Sequence, residues 1–392
     1  MISNKMQEIV AGNSMIRAMF EEGKRLAQIH GAENVYDFSL GNPNVPPPAQ
    51  IVDAINNTLS SPDIHGYMNN SGFESTRTAI ANSLNKRYSQ SLTEKEIVMT
   101  VGAAGAINVI LKSILNPDEE VIVFAPYFVE YKHYTANFNG KLIVIPPNPP
   151  SFLPNLDDLS SAITKNTKAV IINTPNNPTG IVYDSTTLRK LGEVLSAKEK
   201  ELGISICLIS DEPYREIAYD NIDVPCVLNF YHNTFIAYSY SKSLSLPGER
   251  IGYICVSPNI EHKETVLNAL NVSTRILGFV NAPSLFQKVI EQLVDTEVDI
   301  TFYKENRDIL YNHFASIGLE CTYPAGAFYL FPKSPISDDK QFCQDAKKFN
   351  LLLVPGSGFG CSGYFRVSYC VNRDTVVNSL DAFSNLMDTY KN

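Results

Sequence analysis

Short, unbroken apolar runs recur through the middle of the chain, at Val121–Phe124, Leu142–Ile145, Ala169–Ile172, Ile206–Ser210, Phe235–Tyr238 and Gly252–Val256. Their apolarity does not alternate, which is the pattern of strands covered on both faces of a parallel sheet. Stretches of helical character precede and separate them, notably Gly105–Leu115 and Ser185–Leu202. Strand and helix in alternation predict an α/β domain with a doubly wound, mostly parallel sheet and right-handed crossovers.

After this block the pattern changes. Helical stretches from Asn281 to about Ile317 give way to strand-like segments at Gly326–Phe331, Leu351–Gly356 and Phe365–Tyr369, then to a last helix from Asp374 to about Tyr390. This predicts a smaller α+β domain formed by the two chain ends. The expected division is 1–45 as an N-terminal segment of the small domain, 46–284 as the large domain and 285–392 as the rest of the small one. The Pro-rich stretches Asn42–Pro48 and Ile145–Pro154 read as loops, the first at a domain boundary.

Composition narrows the function classes. With 392 residues, 44% hydrophobic, the chain has material for two buried cores. A net charge of −9 argues against a nucleic-acid or membrane-surface partner, either of which calls for a basic patch. No run approaches the roughly 18 apolar residues of a membrane span, and Met1–Glu8 shows no basic region leading into an apolar core. The seven cysteines are scattered, and several, such as Cys207 and Cys255, fall inside apolar runs. They read as reduced core residues of a cytoplasmic protein, without the clustering of a metal site.

In open α/β sheets ligands bind beyond the carboxyl ends of the strands. Four such positions carry polar or aromatic groups, and a fifth segment adds a helix N-terminus. The turn Thr100–Ala106 is built of small residues and leads into a helix, whose first N–H groups attract phosphate. Ala125-Pro126-Tyr127-Phe128 follows one strand, Asn173-Thr174-Pro175-Asn176-Asn177-Pro178-Thr179-Gly180 the next, and Asp211-Glu212-Pro213-Tyr214 another. The last is Ser239-Tyr240-Ser241-Lys242, with Arg250 eight residues beyond the lysine. A lysine forms a Schiff base only when unprotonated, so it needs a cationic neighbour or a dry pocket to lower its pKa from about 10.4. Arg250 supplies a charge and a bidentate phosphate grip. Taken singly each feature has a bland reading: a lysine in a Ser-rich surface loop, an N-capping aspartate, a turn asparagine, a core phenylalanine. Together and in this order they are hard to explain as turns and caps.

On these motifs the chain resembles the pyridoxal-phosphate-dependent aminotransferases of class I/II, also called fold type I. The resemblance runs from Leu40-Gly41-Asn42-Pro43 through Tyr67, Asn177-Pro178-Thr179-Gly180, Asp211-Glu212-Pro213-Tyr214 and the Lys242 string to Phe365-Arg366-Val367-Ser368. It implies that residues 46–284 form the domain binding pyridoxal 5′-phosphate. Lys242 then matches the Schiff-base lysine that also shuttles the proton. Ser239, Ser241, Arg250 and the backbone of Ala103 and Ala104 match the phosphate site. Tyr67 matches a tyrosine supplied to the neighbouring subunit's phosphate, which implies a homodimer with shared active sites. Asp211 matches the partner of the pyridine nitrogen, Tyr214 and Asn177 the pair on the ring's phenolic oxygen, and Phe128 the aromatic stacked on the ring. Arg366 matches the arginine for the substrate α-carboxylate, and Gly41 a small residue lining the substrate pocket.

The implied reaction is ping-pong transamination between an L-amino acid and a 2-oxo acid, with 2-oxoglutarate the commonest acceptor in the family and aspartate aminotransferase among the activities it includes. Some bacterial aspartate aminotransferases carry, in the phosphate turn, a lysine that reads the distal carboxylate; Gly102-Ala103-Ala104 has alanine there. Arg275 is the candidate to replace that charge. Two other classes use the same scaffold. One is a β-eliminating C–S lyase, marked by pyruvate and ammonia from a single amino acid. The other is a non-enzymatic cofactor-binding module of a regulator, for which about forty residues before Leu40 leave little room.

Overall fold

The computed structural model describes residues 1–11 and 15–391. The chain divides into two compact units, Val45–Ile300 with Ala325–Ala327, and Met1–Asn44 with Thr301–Pro324 and Phe328–Asn392.

The first strand, β1 (Tyr36–Asp37), belongs to the smaller unit. The larger unit holds β2 (Ile97–Thr100), β3 (Glu120–Phe124), β4 (Lys141–Ile145), β5 (Thr167–Asn173), β6 (Cys207–Asp211), β7 (Thr234–Ser239) and β8 (Gly252–Val256). They form one sheet in the order β2-β8-β7-β6-β5-β3-β4. The pairs from β7 to β4 are parallel, and β8 runs antiparallel to both of its neighbours. This is the mostly parallel, doubly wound sheet the apolar runs predict. β2, which the runs do not single out, completes one edge.

Successive side chains of a strand serve opposite cores. Val121 and Val123 pack with Ile107 and Ile110 of the helix Ala103–Ile114 and with Leu267 and Leu270 of the helix Lys263–Ile276. Ile122 and Phe124 pack on the other face with Leu159, Leu188, Leu191 and Leu195. Each fully buried side chain of this kind contributes roughly 1.5–3 kcal/mol, which favours apolar residues on both faces. The helix Ser185–Leu202 shows how local sequence sets its ends. Asp184 accepts a 2.7 Å hydrogen bond from the Thr187 N–H, and Gly203 ends the helix at φ 65°.

The helix Ser284–Glu291 packs against the helices Gln50–Leu59 and Glu74–Tyr88 through a core holding Val289 and Ile290. Residues 285–300 therefore group with the larger unit, whereas the sequence pattern begins the small domain at 285. The helical stretch read from Asn281 onward is two helices, Ser284–Glu291 and Thr301–Ser316.

In the smaller unit β1 pairs in parallel with β10 (Leu351–Leu352). β9 (Tyr329–Leu330), β11 (Val354–Pro355) and β12 (Phe365–Ser368) form an antiparallel sheet in the order β11-β12-β9. The Ser368 N–H donates to the Phe38 carbonyl at 2.9 Å, which joins the two chain ends. No described helix is long and apolar enough to cross a membrane.

Candidate active site

Register brings the motifs of the larger unit to one edge. Asn173 and Asp211, the last residues of β5 and β6, are direct partners, and Asp211 partners Ala237 two residues before the end of β7. The segments that follow, with Asn177, Tyr214 and Lys242, therefore leave the sheet side by side. Asn173 organises two of them: its Nδ2 donates to the Asp211 carbonyl at 2.8 Å, and its Oδ1 accepts from the Asn177 N–H at 2.7 Å. Asn177 and Tyr214 are buried, and Lys242 is half-buried on the short helix Tyr240–Ser243.

β8 carries the small-residue turn to the same place. Gly252 partners Ser239 on one side and Thr100 on the other. A Cβ at Gly252 would lie 2.9 Å from the Gly102 Cα, so its missing side chain lets the turn approach. Gly102 has φ 83°, a left-handed conformation that favours glycine, and it caps the helix Ala103–Ile114. That helix starts two residues earlier than the sequence pattern suggests, so Ala103 and Ala104 both lie in its first turn, where N–H groups point out of the helix. Around them stand Ser239, Ser241 and Arg250. Ser239 Oγ donates to Ser241 Oγ at 2.7 Å and accepts from the Ser241 N–H at 3.2 Å. Arg250 Nη2 donates to the Val101 carbonyl at 3.1 Å. A Cβ on Gly102 would sit 2.8 Å from Arg250 Nη2 and 3.4 Å from Ser239 Oγ. Helix N–H groups, two hydroxyls and a guanidinium around a glycine make an anion cradle.

Asp211 is the electrostatic centre of the site. Tyr131, fully buried, donates to its Oδ2 at 2.5 Å. Its Oδ1 is buried with no hydrogen-bond partner among the described residues. Burial pushes the carboxyl up to about 7, against the lowering effect of the Tyr131 hydrogen bond. A buried carboxylate with an orphaned oxygen calls for a cationic or N–H partner. Phe128 stands edge-on to Tyr131, ring centroids 5.6 Å apart. Tyr131 was not legible as a site residue; it lies in the first turn of the helix Glu130–Asn137, three residues after Phe128.

Beneath the site lies a buried ion pair also missed from sequence. Arg215 Nε donates to Glu212 Oε2 at 2.7 Å and Nη1 to the Tyr253 hydroxyl at 3.0 Å, with the guanidinium 4.4 Å from the Tyr238 ring centroid. The Tyr238 hydroxyl donates to Glu216 Oε2 at 2.8 Å and accepts from Ser243 Oγ at 2.8 Å, so the residues next to Asp211, Tyr214 and Lys242 share one network.

Tyr67 and Arg275 lie elsewhere on the larger unit. Tyr67 is fully exposed in a groove lined by Met68, Phe279 and Val280, and Arg275 is exposed in the last turn of Lys263–Ile276. Arg366 and Gly41 belong to the smaller unit. Arg366 is buried on β12, and its Nη2 donates to the Ser39 carbonyl at 2.6 Å.

Comparison with known proteins fits this arrangement. The family model for aminotransferase class I and II matches residues 32–383. The chain is 28% identical to an aspartate aminotransferase of Thermotoga maritima over 99% of this chain and 100% of that protein. A solved amino transferase from Eubacterium rectale matches with a TM-score of 0.97 at 42% identity over 100% of both chains. The aspartate aminotransferase of Thermus thermophilus solved with maleate matches with a TM-score of 0.87 at 25% identity, over 98% of this chain and 99% of that one. The chain belongs to the class I and II aminotransferases, enzymes that move an amino group between an amino acid and a 2-oxo acid.

Proposed function

We propose that the chain holds pyridoxal phosphate at the carboxyl edge of the larger unit's sheet and transfers the amino group of a dicarboxylic L-amino acid, aspartate, to 2-oxoglutarate by ping-pong turnover, with glutamate as the product. The observation that carries the cofactor assignment is the buried, unpartnered Oδ1 of Asp211 in the same unit as the Gly102 cradle. One suits a protonated ring nitrogen and the other a phosphate. The dicarboxylate assignment is supported by the aspartate aminotransferases among the relatives.

When bound, the cofactor supplies an aldehyde for the substrate amine and a ring that accepts the electrons left when the Cα proton departs. The chain's own residues do the rest. Ala103 and Ala104 N–H, Ser239, Ser241 and Arg250 hold the phosphate. Asp211 Oδ1 accepts from the ring N–H, and a cation there draws the carboxyl back toward its ionised form. Tyr214 and Asn177 would hydrogen-bond the phenolic oxygen, and Phe128 would offer an aromatic face to the ring. Lys242 Nζ would anchor the cofactor and would take up the proton removed from the substrate Cα. Arg366 provides a planar fork for the α-carboxylate, Gly41 makes room for the Tyr329 hydroxyl and not directly for substrate, and Arg275 reads the distal carboxylate.

The working form is a homodimer in which Tyr67 serves the partner's phosphate site. Supporting this, Tyr67 is exposed beside Phe279 and Val280, with Val272 and Ile276 exposed on the neighbouring helix, an apolar patch suited to a second copy. The seven cysteines form no disulfide, which suits a reducing compartment such as the cytoplasm.

The test is a half-reaction without acceptor. Enzyme loaded with pyridoxal phosphate receives aspartate, glutamate, alanine or phenylalanine, and products are counted by mass spectrometry. One equivalent of oxo acid per site, formed at lowest concentration from aspartate or glutamate, is expected. Arg275→Ala should raise the half-saturating concentration of aspartate by about tenfold or more and leave alanine unchanged. Pyruvate and ammonia accumulating from one amino acid would replace this reading with an eliminating lyase.

A further inference from the structure

Arg366 lies over two aromatic rings. Its guanidinium carbon lies 4.7 Å from the Tyr329 ring centroid and 5.0 Å from that of Phe359. All three side chains are buried in the smaller unit. The arrangement follows from strand register: β12 pairs with β9 through Val367 with Leu330 and Ser368 with Tyr329, while Phe359 ends the short turn Gly356–Phe359. The Tyr329 ring has its own stop. A Cβ at Gly41 would overlap the Tyr329 hydroxyl oxygen and come within 2.9 Å of the ring carbon that bears it. Gly41 therefore leaves space that Tyr329 fills.

From this we infer that Tyr329 and Phe359 are positioning residues that fix the plane of the Arg366 guanidinium before a carboxylate arrives, and that Gly41 is needed because the Tyr329 hydroxyl takes the place of its side chain. The inference deepens the reading of Arg366 as the α-carboxylate fork and rests on it. A free arginine has many rotamers and loses that freedom on binding, whereas a guanidinium held by ring faces is already oriented. Two parallel N–H bonds to a carboxylate demand that orientation more than a single point charge does. The Arg366 contact to the Ser39 carbonyl ties the same fork to the segment carrying Gly41.

The experiment measures maleate binding to the enzyme loaded with pyridoxal phosphate, read from the change in cofactor absorbance, for Tyr329→Leu, Tyr329→Phe, Arg366→Ala and the double variant Tyr329→Leu/Arg366→Ala. Tyr329→Leu should weaken maleate about tenfold and Tyr329→Phe by less than about threefold, because the ring face and not the hydroxyl holds the arginine. Affinity for pyridoxal phosphate, set in the other unit, should stay unchanged in both. Adding Tyr329→Leu to Arg366→Ala should cost less than about twofold more. Unchanged maleate affinity in Tyr329→Leu, or an equal loss with and without Arg366, overturns the inference. An unchanged affinity in Arg366→Ala overturns instead the reading of Arg366 itself. If Tyr329→Leu does not fold, Gly41→Ala serves: it should weaken maleate, and Gly41→Ala/Tyr329→Phe should recover part of the loss. Full maleate affinity in Gly41→Ala overturns the inference equally.

Discussion

Tyr131 donates a 2.5 Å hydrogen bond to Oδ2 of Asp211, while Oδ1 of the same carboxylate is buried without a partner among the described residues. One oxygen is anchored by the protein and the other is left for what binds beside it. Tyr131 cannot easily give up its proton, since burial and the neighbouring carboxylate both push the phenol well above its usual range. It is therefore a fixed donor.

Replacing Tyr131 by Phe removes that donor and leaves Oδ2 unsatisfied. Hydrogen bonds to charged groups contribute about 1.5–3 kcal/mol, so transamination should slow by roughly ten- to a hundredfold. Because the phosphate cradle is untouched, dialysis should still leave cofactor bound. Single-turnover rates beside cofactor content after dialysis check both halves.

The raised Asp211 carboxyl gives the cofactor-free protein a pH signature. Its folded value of about 7 exceeds the ordinary 3.8, so between about 4 and 7 the folded state holds more protons than the unfolded one. Stability then falls as pH rises through that window, by up to about 1.4 kcal/mol per pH unit from this group. Asp211→Asn should flatten the slope and be the more stable form at pH 8. Urea unfolding of both cofactor-free proteins at pH 5, 6, 7 and 8 measures it; parallel curves would contradict it.

Gly102→Ala strikes the cradle. The new Cβ meets Arg250 Nη2 at 2.8 Å and must sit at φ 83°, which alanine resists. Affinity for pyridoxal phosphate should fall by about tenfold or more, while affinity for pyridoxal, which has no phosphate, should stay the same. Fluorescence titration with the two compounds separates a cradle defect from general damage.

The Glu212–Arg215 pair should behave as a buried ion pair. Both side chains are 4% exposed and 2.7 Å apart, so Arg215→Met strands the carboxylate and should cost about 3–5 kcal/mol. Glu212→Gln/Arg215→Met removes both charges and should recover much of that loss. Chemical denaturation of the three proteins provides the comparison.

The sheet was legible because β3, β5, β6, β7 and β8 are largely buried, which favours unbroken apolar runs, and the edge strand β4, exposed at Lys141 and Val144, keeps enough of that pattern to be read. β2 was not, since Ile97–Thr100 is only four residues long and runs straight into the small-residue turn that opens a helix. The strands of the smaller unit are mostly two residues long, so Gly326–Phe331 reads as one strand yet contributes only Tyr329–Leu330. The break between the helices at 284–291 and 301–316 also escaped, because loop residues 292–300 are not rich in glycine or proline. In the candidate site, motifs that leave a strand end were readable as local strings. Contacts made across the fold were not. Tyr131 reaches Asp211 over 80 residues, and the ring of Tyr329 reaches Arg366 only through the register of β9 and β12. Nothing local distinguishes such a tyrosine from an ordinary core aromatic.

The most direct test of the central claim is to load the purified protein with pyridoxal phosphate, fix the bond between cofactor and protein with borohydride, and map the modified lysine by peptide mass spectrometry. The account predicts one cofactor per chain, on Lys242, with fixation prevented by prior addition of aspartate. Fixation on another lysine, or none at all, would contradict it.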